Sequence, residues 1–185
     1  MAAIAHQPHL WTRAEYERLI ETGGLHPEAR LELIDGEILD MAPQKSRHST
    51  AVRLAEVVLS KMFETGFDVR SQLPLSIDDY SEPEPDIAVV AGSIRDYRDA
   101  HPTTALLIVE VADSSLDFDR GRKRALYARN GIEDYWIVDV QAERLEVHRD
   151  PRDDDYRQHR VLNAGDRITP LHAADKLIRV ADLLP

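Results

Sequence analysis

Two short segments, Leu106-Leu107-Ile108-Val109 and Tyr135-Trp136-Ile137-Val138, are apolar at every position. A strand with one wet face alternates apolar and polar residues, so runs like these must be covered on both faces and belong at the centre of a sheet. Between them, Asp117 to Asn130 has helical spacing, with Asp117 or Asp119 placed to cap it and Gly131 to stop it in the left-handed conformation. Strand, helix, strand in that order predicts a right-handed crossover joining parallel neighbours. The chain is therefore expected to be α/β, a mixed sheet flanked by helices.

The other elements follow from local chemistry. Thr12-Arg13-Ala14-Glu15 is a capping box ahead of Tyr16, Leu19 and Ile20, and Gly23-Gly24 ends that first helix. Arg30 to Ile34 and Glu37 to Met41 flank Asp35-Gly36, a dipeptide suited to a type I′ hairpin turn. From Ser46 to Phe63 the apolar positions Val52, Ala55, Val58, Leu59 and Met62 recur every three or four residues, predicting an amphipathic helix that lays one face on the sheet. Val69 to Leu75, Ile87 to Ala91, Ala105 to Val111, Tyr135 to Val140 and Arg144 to His148 read as strands. Asp78 to Asp86 and Asp150 to Asp155 read as loops, and the tail offers only short strand-like pieces at Arg160 to Leu162 and Leu177 to Val180.

The 185 residues make one domain's length, and residues 1–185 are expected to form a single domain with its own core. There is no cysteine, which excludes disulfides, thiolate metal sites and cysteine nucleophiles, so any metal must be held by oxygen or imidazole. No run approaches the roughly 20 apolar residues of a membrane helix, and Met1 to Pro8 lacks the basic-then-apolar layout of a signal peptide. A cytoplasmic protein with no membrane association is expected. The net charge of −11 argues against coating nucleic acid by bulk attraction. A local basic surface is available in Arg120, Arg122, Lys123, Arg124 and Arg129.

The most informative residue is Glu110. It interrupts the apolar run Ile108-Val109-Glu110-Val111, where a charge is costly unless paired or bound to a cation. Asp86 stands between Pro85 and the core strand that begins at Ile87. Two carboxylates at the ends of adjacent strands form a hard-oxygen pocket suited to Mg²⁺ or Mn²⁺. On the following helix Asp119, Lys123, Leu126 or Tyr127, and Asn130 recur every three or four residues, giving one stripe an acid, an ammonium and a phenol. Glu32 lies on the hairpin face opposite Leu31 and Leu33, where it could add a third carboxylate. Each residue also has a structural reading: Glu110 as partner of a buried Arg or Lys, Asp86 as a turn residue, Lys123 as part of a solvated helix face, Glu32 as an edge charge. The eight histidines show no metal-binding spacing, and His48 reads as a surface residue or cap within reach of phosphate. Gly121 and Gly131 read as helix-end glycines.

Arg30-Leu31-Glu32-Leu33-Ile34-Asp35-Gly36-Glu37-Ile38, Pro85-Asp86-Ile87-Ala88-Val89-Val90, Val109-Glu110-Val111-Ala112-Asp113-Ser114-Ser115, Asp119-Arg120-Gly121-Arg122-Lys123 to Tyr127, and Gly131-Ile132-Glu133-Asp134-Tyr135-Trp136-Ile137-Val138-Asp139 together resemble the Uma2 family of restriction-endonuclease-like proteins. That family lies within the PD-(D/E)XK nuclease superfamily. The resemblance implies a restriction-endonuclease-like core, a four-to-five-stranded mixed sheet with an N-terminal helix and hairpin. It implies Asp86 and Glu110 as ligands of Mg²⁺ or Mn²⁺, Glu32 as an additional catalytic acid and Lys123 as the catalytic cation. Tyr127, Asp119 and Ser115 are second-rank candidates for positioning. One departure stands out: the superfamily's usual lysine two residues past the glutamate is Ala112 here.

The expected activity is metal-dependent endonucleolytic hydrolysis of nucleic acid, with DNA the expected substrate. A homodimer is expected because cutting both strands favours two sites, with Leu183-Leu184 as candidate contacts. The absent strand lysine and the acidic charge leave two alternatives open: a non-catalytic nucleic-acid-binding or assembly module on a nuclease fold, and a structural cation site.

Overall fold

A six-stranded sheet organises the computed structural model, which describes residues 7–26 and 28–185. The opening residues Met1 to His6 and Pro27 lie outside that description. Strands β3 (Phe67–Ser71), β4 (Ile87–Ala91), β5 (Leu107–Ala112), β6 (Asp134–Asp139), β7 (Arg144–Arg152) and β8 (Asp155–Asn163) pair antiparallel except β5 with β6, which are parallel. All twelve residues of β5 and β6 are buried, as continuous apolar runs require. Six strands replace the expected four to five.

Each sheet face has its own core. Val109, Val111, Trp136 and Val138 point toward helix α2 (Ser46–Met62), which buries Ala51, Val52, Ala55 and Leu59 against them. Ile108, Ala112, Tyr135 and Ile137 point the other way, toward Leu126 and Tyr127 of the crossover helix. Alternation along β5 therefore turns Glu110 toward the crossover-helix side. Helix α1 (Arg13–Glu21) starts with the expected capping box of Thr12 and Glu15. It precedes the hairpin of β1 (Leu31–Ile34) and β2 (Glu37–Asp40). The turn has Asp35 at φ 52° and Gly36 at φ 77°. A Cβ at Gly36 would stand 2.7 Å from the Leu10 Cβ, so both the dihedral and the close approach require glycine.

Several expectations fail, each for a physical reason. The strand expected over Val69 to Leu75 ends at Ser71, because Gln72 adopts φ 53° and Leu75 turns into the opposite core. Asp150 to Asp155 is no loop: β7 and β8 form a long hairpin through it, with Asp153 at φ 50° in the turn. The crossover helix is interrupted. A short α3 (Leu116–Phe118) leads into a π-helical turn, Asp119–Lys123, and then α4 (Arg124–Arg129). Neither Asp117 nor Asp119 caps it; Asp119 is buried within the π turn, and Gly121 is interior to that turn. Leu183 is 1 % exposed and belongs to the α2-side core, with Leu184 packed against it, so this pair is not free to bridge subunits. No helix among the described residues is long and apolar enough to cross a membrane.

One buried group carries a pH-dependent cost. His148 on β7 is 2 % exposed, stacks on His159 of β8 and finds no hydrogen-bond partner for either ring nitrogen. Burial, with His159 and Arg124 adding repulsion, pushes its pKa down to about 4. Below pH 6.5 the unfolded chain takes up a proton that the folded chain refuses until near pH 4. Stability is therefore lost as pH falls through that window, by about 3 kcal/mol at most for such a shift. His148→Phe keeps the aromatic stack and removes the unpaired nitrogens, so denaturant midpoints at pH 7 and pH 4.5 should lie closer together in the variant. Equal pH dependence in the two proteins would refute this account.

Candidate active site

The register of the sheet brings the two strand-end carboxylates together. Strands β4 and β5 pair Ile87 with Val109 and Ala88 with Ile108, so one further step sets Asp86 opposite Glu110. Asp86 is tightly held: Oδ2 accepts from the Val111 N–H at 2.8 Å and lies 3.2 Å from His48 Nε2, while Oδ1 accepts from Gln72 Nε2 at 3.0 Å. Burial would raise its pKa, but the bonds from His48, Val111 and Gln72 outweigh burial and hold the group below the usual carboxylate range.

Glu110 is 3 % exposed. Its Oε1 accepts from Lys123 Nζ at 3.0 Å and from the Tyr127 hydroxyl at 2.7 Å, and its Oε2 lies 3.4 Å from the Asp86 N–H. Lys123 Nζ also reaches Glu32 Oε2 at 3.2 Å. The hairpin is fixed against the crossover helix by Asp35, which pairs with Arg122 and Arg129, and by Arg122 donating to the Ile34 carbonyl at 2.7 Å. That clamp sets Glu32 beside Lys123. The π turn does the rest: the Tyr135 hydroxyl donates to the Asp119 carbonyl at 3.0 Å, and the widened turn buries both Asp119 and Lys123. Ser115 Oγ donates to Asp119 Oδ2 at 2.6 Å, so Ser115 positions Asp119 and does not itself touch Asp86 or Glu110. Glu32, Asp86, Glu110, Asp119, Lys123, Ser115 and His48 all line one cavity of about 330 Å³, with Tyr127 packed behind it.

The charge in this cavity is unbalanced. Burial, reinforced by neighbouring carboxylates, pushes Glu110 up to about 8 and Asp119 up to about 6 despite the pull of Lys123. Burial alone would lower the Lys123 pKa, yet Glu110, Glu32, Asp119 and Asp86 overcome it and keep the amine protonated. Lys123 and His48, with Arg30 at the rim, thus face four buried carboxylates, and Glu84 and Asp40 line the same cavity. A divalent cation is the group that would restore both carboxyls to their ionised form, and an all-oxygen donor set suits Mg²⁺ or Mn²⁺. No three of these four acids bring oxygens within 4.8 Å of one another. That spread fits an ion held by one or two carboxylates that keeps several waters.

The solvated-face reading of Lys123 and the edge-charge reading of Glu32 both fail, since each residue is 5 % exposed. The basic surface expected from the 120–129 run also fails. Arg120 is bound to Glu146, Arg122 to Asp35 and Glu37, Lys123 to Glu32 and Glu110, Arg124 to Asp155, and Arg129 to Asp35. His48, read as surface or cap, is instead a direct partner of Asp86, and Gln72 is another. Neither carries a spacing signal, because α2 and the end of β3 meet Asp86 only in the folded chain.

A second group escaped the spacing argument because it forms across the β7–β8 hairpin: Glu146, His148 and His159 bring ligand atoms within 4.8 Å of one another. The two imidazoles lie 7° from parallel with centroids 4.5 Å apart, so an ion in the plane of one ring sits out of the plane of the other. Glu146 is already engaged by Arg120 and Arg144. As arranged, this group does not form a cation site.

Acids at adjoining strand ends of a six-stranded mixed sheet, with a lysine and an outlying glutamate beside them, thus share one pocket. The chain belongs to the Uma2 family, described as "Putative restriction endonuclease", whose model matches residues 13–180. A solved structure described as a putative nuclease belonging to DUF820 from Anabaena variabilis ATCC 29413 shares the fold. It has a TM-score of 0.75 and 17% identity, covering 93% of this chain and 96% of that one. Among curated proteins no relative matches.

Proposed function

We propose that the protein is a metal-dependent endonuclease that hydrolyses phosphodiester bonds of nucleic acid, with Asp86 and Glu110 holding Mg²⁺ or Mn²⁺. The observation that carries the proposal is the convergence of Asp86, Glu110, Glu32 and Lys123, from four separate elements, on one buried pocket with surplus negative charge. The superfamily's strand lysine is absent, and Ala112 is buried in the sheet. Its ammonium arrives from the π turn, with Lys123 Nζ 3.0 Å from Glu110. The bound ion would polarise the scissile phosphate and lower the pKa of a water. The chain's residues hold the geometry: Tyr127 and Lys123 fix the Glu110 carboxylate, while Val111, Gln72 and His48 fix Asp86. Lys123 keeps a positive charge where negative charge develops on the phosphate. Glu32 shares that ammonium and sets its direction.

Purified protein should cleave nucleic acid, offered as single strands and as duplex, in Mg²⁺ or Mn²⁺ and stop in EDTA, and Asp86→Ala should lose at least about a hundredfold in rate while still folding. Cleavage that persists in EDTA and in Asp86→Ala would sink the mechanism. A second reading, a non-catalytic module, draws on the net charge of −11 and the neutralised arginines. Under that reading metal raises the melting temperature and every nucleic acid stays intact.

A further inference from the structure

Resting on the nuclease reading above, we propose that the pocket accepts one unpaired nucleotide at a time, so that the substrate is single-stranded nucleic acid or a single-stranded flap and not intact duplex. The reacting groups are deep: Asp86 is 8 % exposed, Glu110 3 % and Lys123 5 %. They are reached through a cavity of about 330 Å³, near the small end of the roughly 300–1,000 Å³ range for small-molecule pockets. A cavity of that volume matches one splayed nucleotide better than a length of stacked, paired helix.

The walls suit that occupant. Phe118, Leu39 and Met41 line the cavity, each only partly buried, and the Phe118 ring centroid lies 6.0 Å from Lys123 Nζ. An aromatic face beside the reacting centre is a stacking platform for a base, and such platforms bind single strands with little regard to sequence. At the rim stands Arg30, exposed and without an ion pair among the described residues, placed to meet the next phosphate. Duplex binding depends on neutralising many phosphates. Here the basic run that could do so is spent on Asp35, Glu37, Asp155 and Glu146. A single-stranded substrate also removes the two-strand argument for a homodimer.

The test compares one labelled DNA oligonucleotide as a single strand, as a blunt duplex and as a duplex bearing a single-stranded flap, in Mn²⁺ with wild type, Phe118→Leu and Arg30→Ala. Wild type should cut the strand and the flap at least about tenfold faster than the duplex. Phe118→Leu, which keeps the apolar packing without the ring, should cut the single strand about tenfold more slowly. Arg30→Ala should act through KM, and with so few phosphate contacts the logarithm of single-strand affinity should fall shallowly with salt, by about 0.7 per neutralised phosphate. Duplex cut as fast as single strand, or Phe118→Leu indistinguishable from a wild type that cuts, overturns the strand proposal and leaves the nuclease reading standing. Cleavage of none of the three forms, nor of the same forms made as RNA, overturns the nuclease reading, and this proposal with it.

Discussion

Glu110→Gln is expected to abolish cleavage, by at least about a hundredfold, while leaving the metal-free protein as stable as wild type or more so at pH 8. The two halves of that result have one cause. Glu110 has a pKa raised to about 8, chiefly by burial, so without a bound cation the folded protein holds this side chain largely protonated at neutral pH. A carboxyl raised in the folded state costs stability as pH rises from its ordinary value toward 8, because the unfolded chain gives up the proton first. Glutamine reproduces the neutral shape and removes that cost, so the variant's metal-free stability should vary less between pH 5 and pH 8. It cannot bind a divalent ion as a carboxylate does. Calorimetric melting with and without Mn²⁺ checks this: the ion should raise the wild-type melting temperature and leave Glu110→Gln unmoved. An equal rise in both proteins would place the ion elsewhere.

Lys123→Met should produce the largest loss of stability of any substitution in the pocket, about 3–5 kcal/mol, the range for breaking a buried ion pair by removing one partner. The methionine fills much of the same volume, so the loss reports charge and not a cavity. Glu32, Glu110 and Asp119 would remain buried around an apolar side chain. Without Lys123 to pull them down, Glu110 and Asp119 then hold protons more tightly, and protonation relieves the repulsion. The deficit should therefore be greatest near pH 8 and shrink as pH falls toward 5. Urea denaturation across that range measures it, and a variant matching wild type at pH 8 would contradict the charge balance drawn for the pocket. Cleavage should be lost as well, and adding Mn²⁺ should recover part of the stability without the activity, since an ion can offset the carboxylates but cannot occupy the ammonium's position.

How much of this was legible beforehand depends on which interactions are local. The central strands, the α2 helix and the Asp35-Gly36 turn were readable because apolar runs, helical spacing and positive φ preferences are properties of adjacent residues. Glu110 was readable for the same reason, as one charge in an apolar run with a fixed alternation of faces. The β7–β8 hairpin is not legible, because its turn is written in aspartates and a proline that look like loop, and because β8 is an exposed strand with almost no apolar pattern. The π turn is not legible either, because nothing at Asp119–Lys123 departs from helical spacing. In that turn the Asp119 carbonyl accepts from the Arg124 N–H five residues on and also from the Tyr135 hydroxyl on the neighbouring strand.

The same division holds at the pocket. Composition and order alone determined that a carboxylate would be buried at the end of a central strand, that a second would stand before the adjoining one, and that a lysine would follow on the crossover helix. Tertiary structure decided which charges meet. It brought His48 and Gln72 to Asp86, and it bound the arginines of the 120–129 run to acids far away in sequence. It also left the surplus negative charge inside the pocket. The reason is physical: pattern along the chain fixes which face a side chain takes, but an ion pair forms by distance in space, and that is set only when sheet register and helix packing are complete.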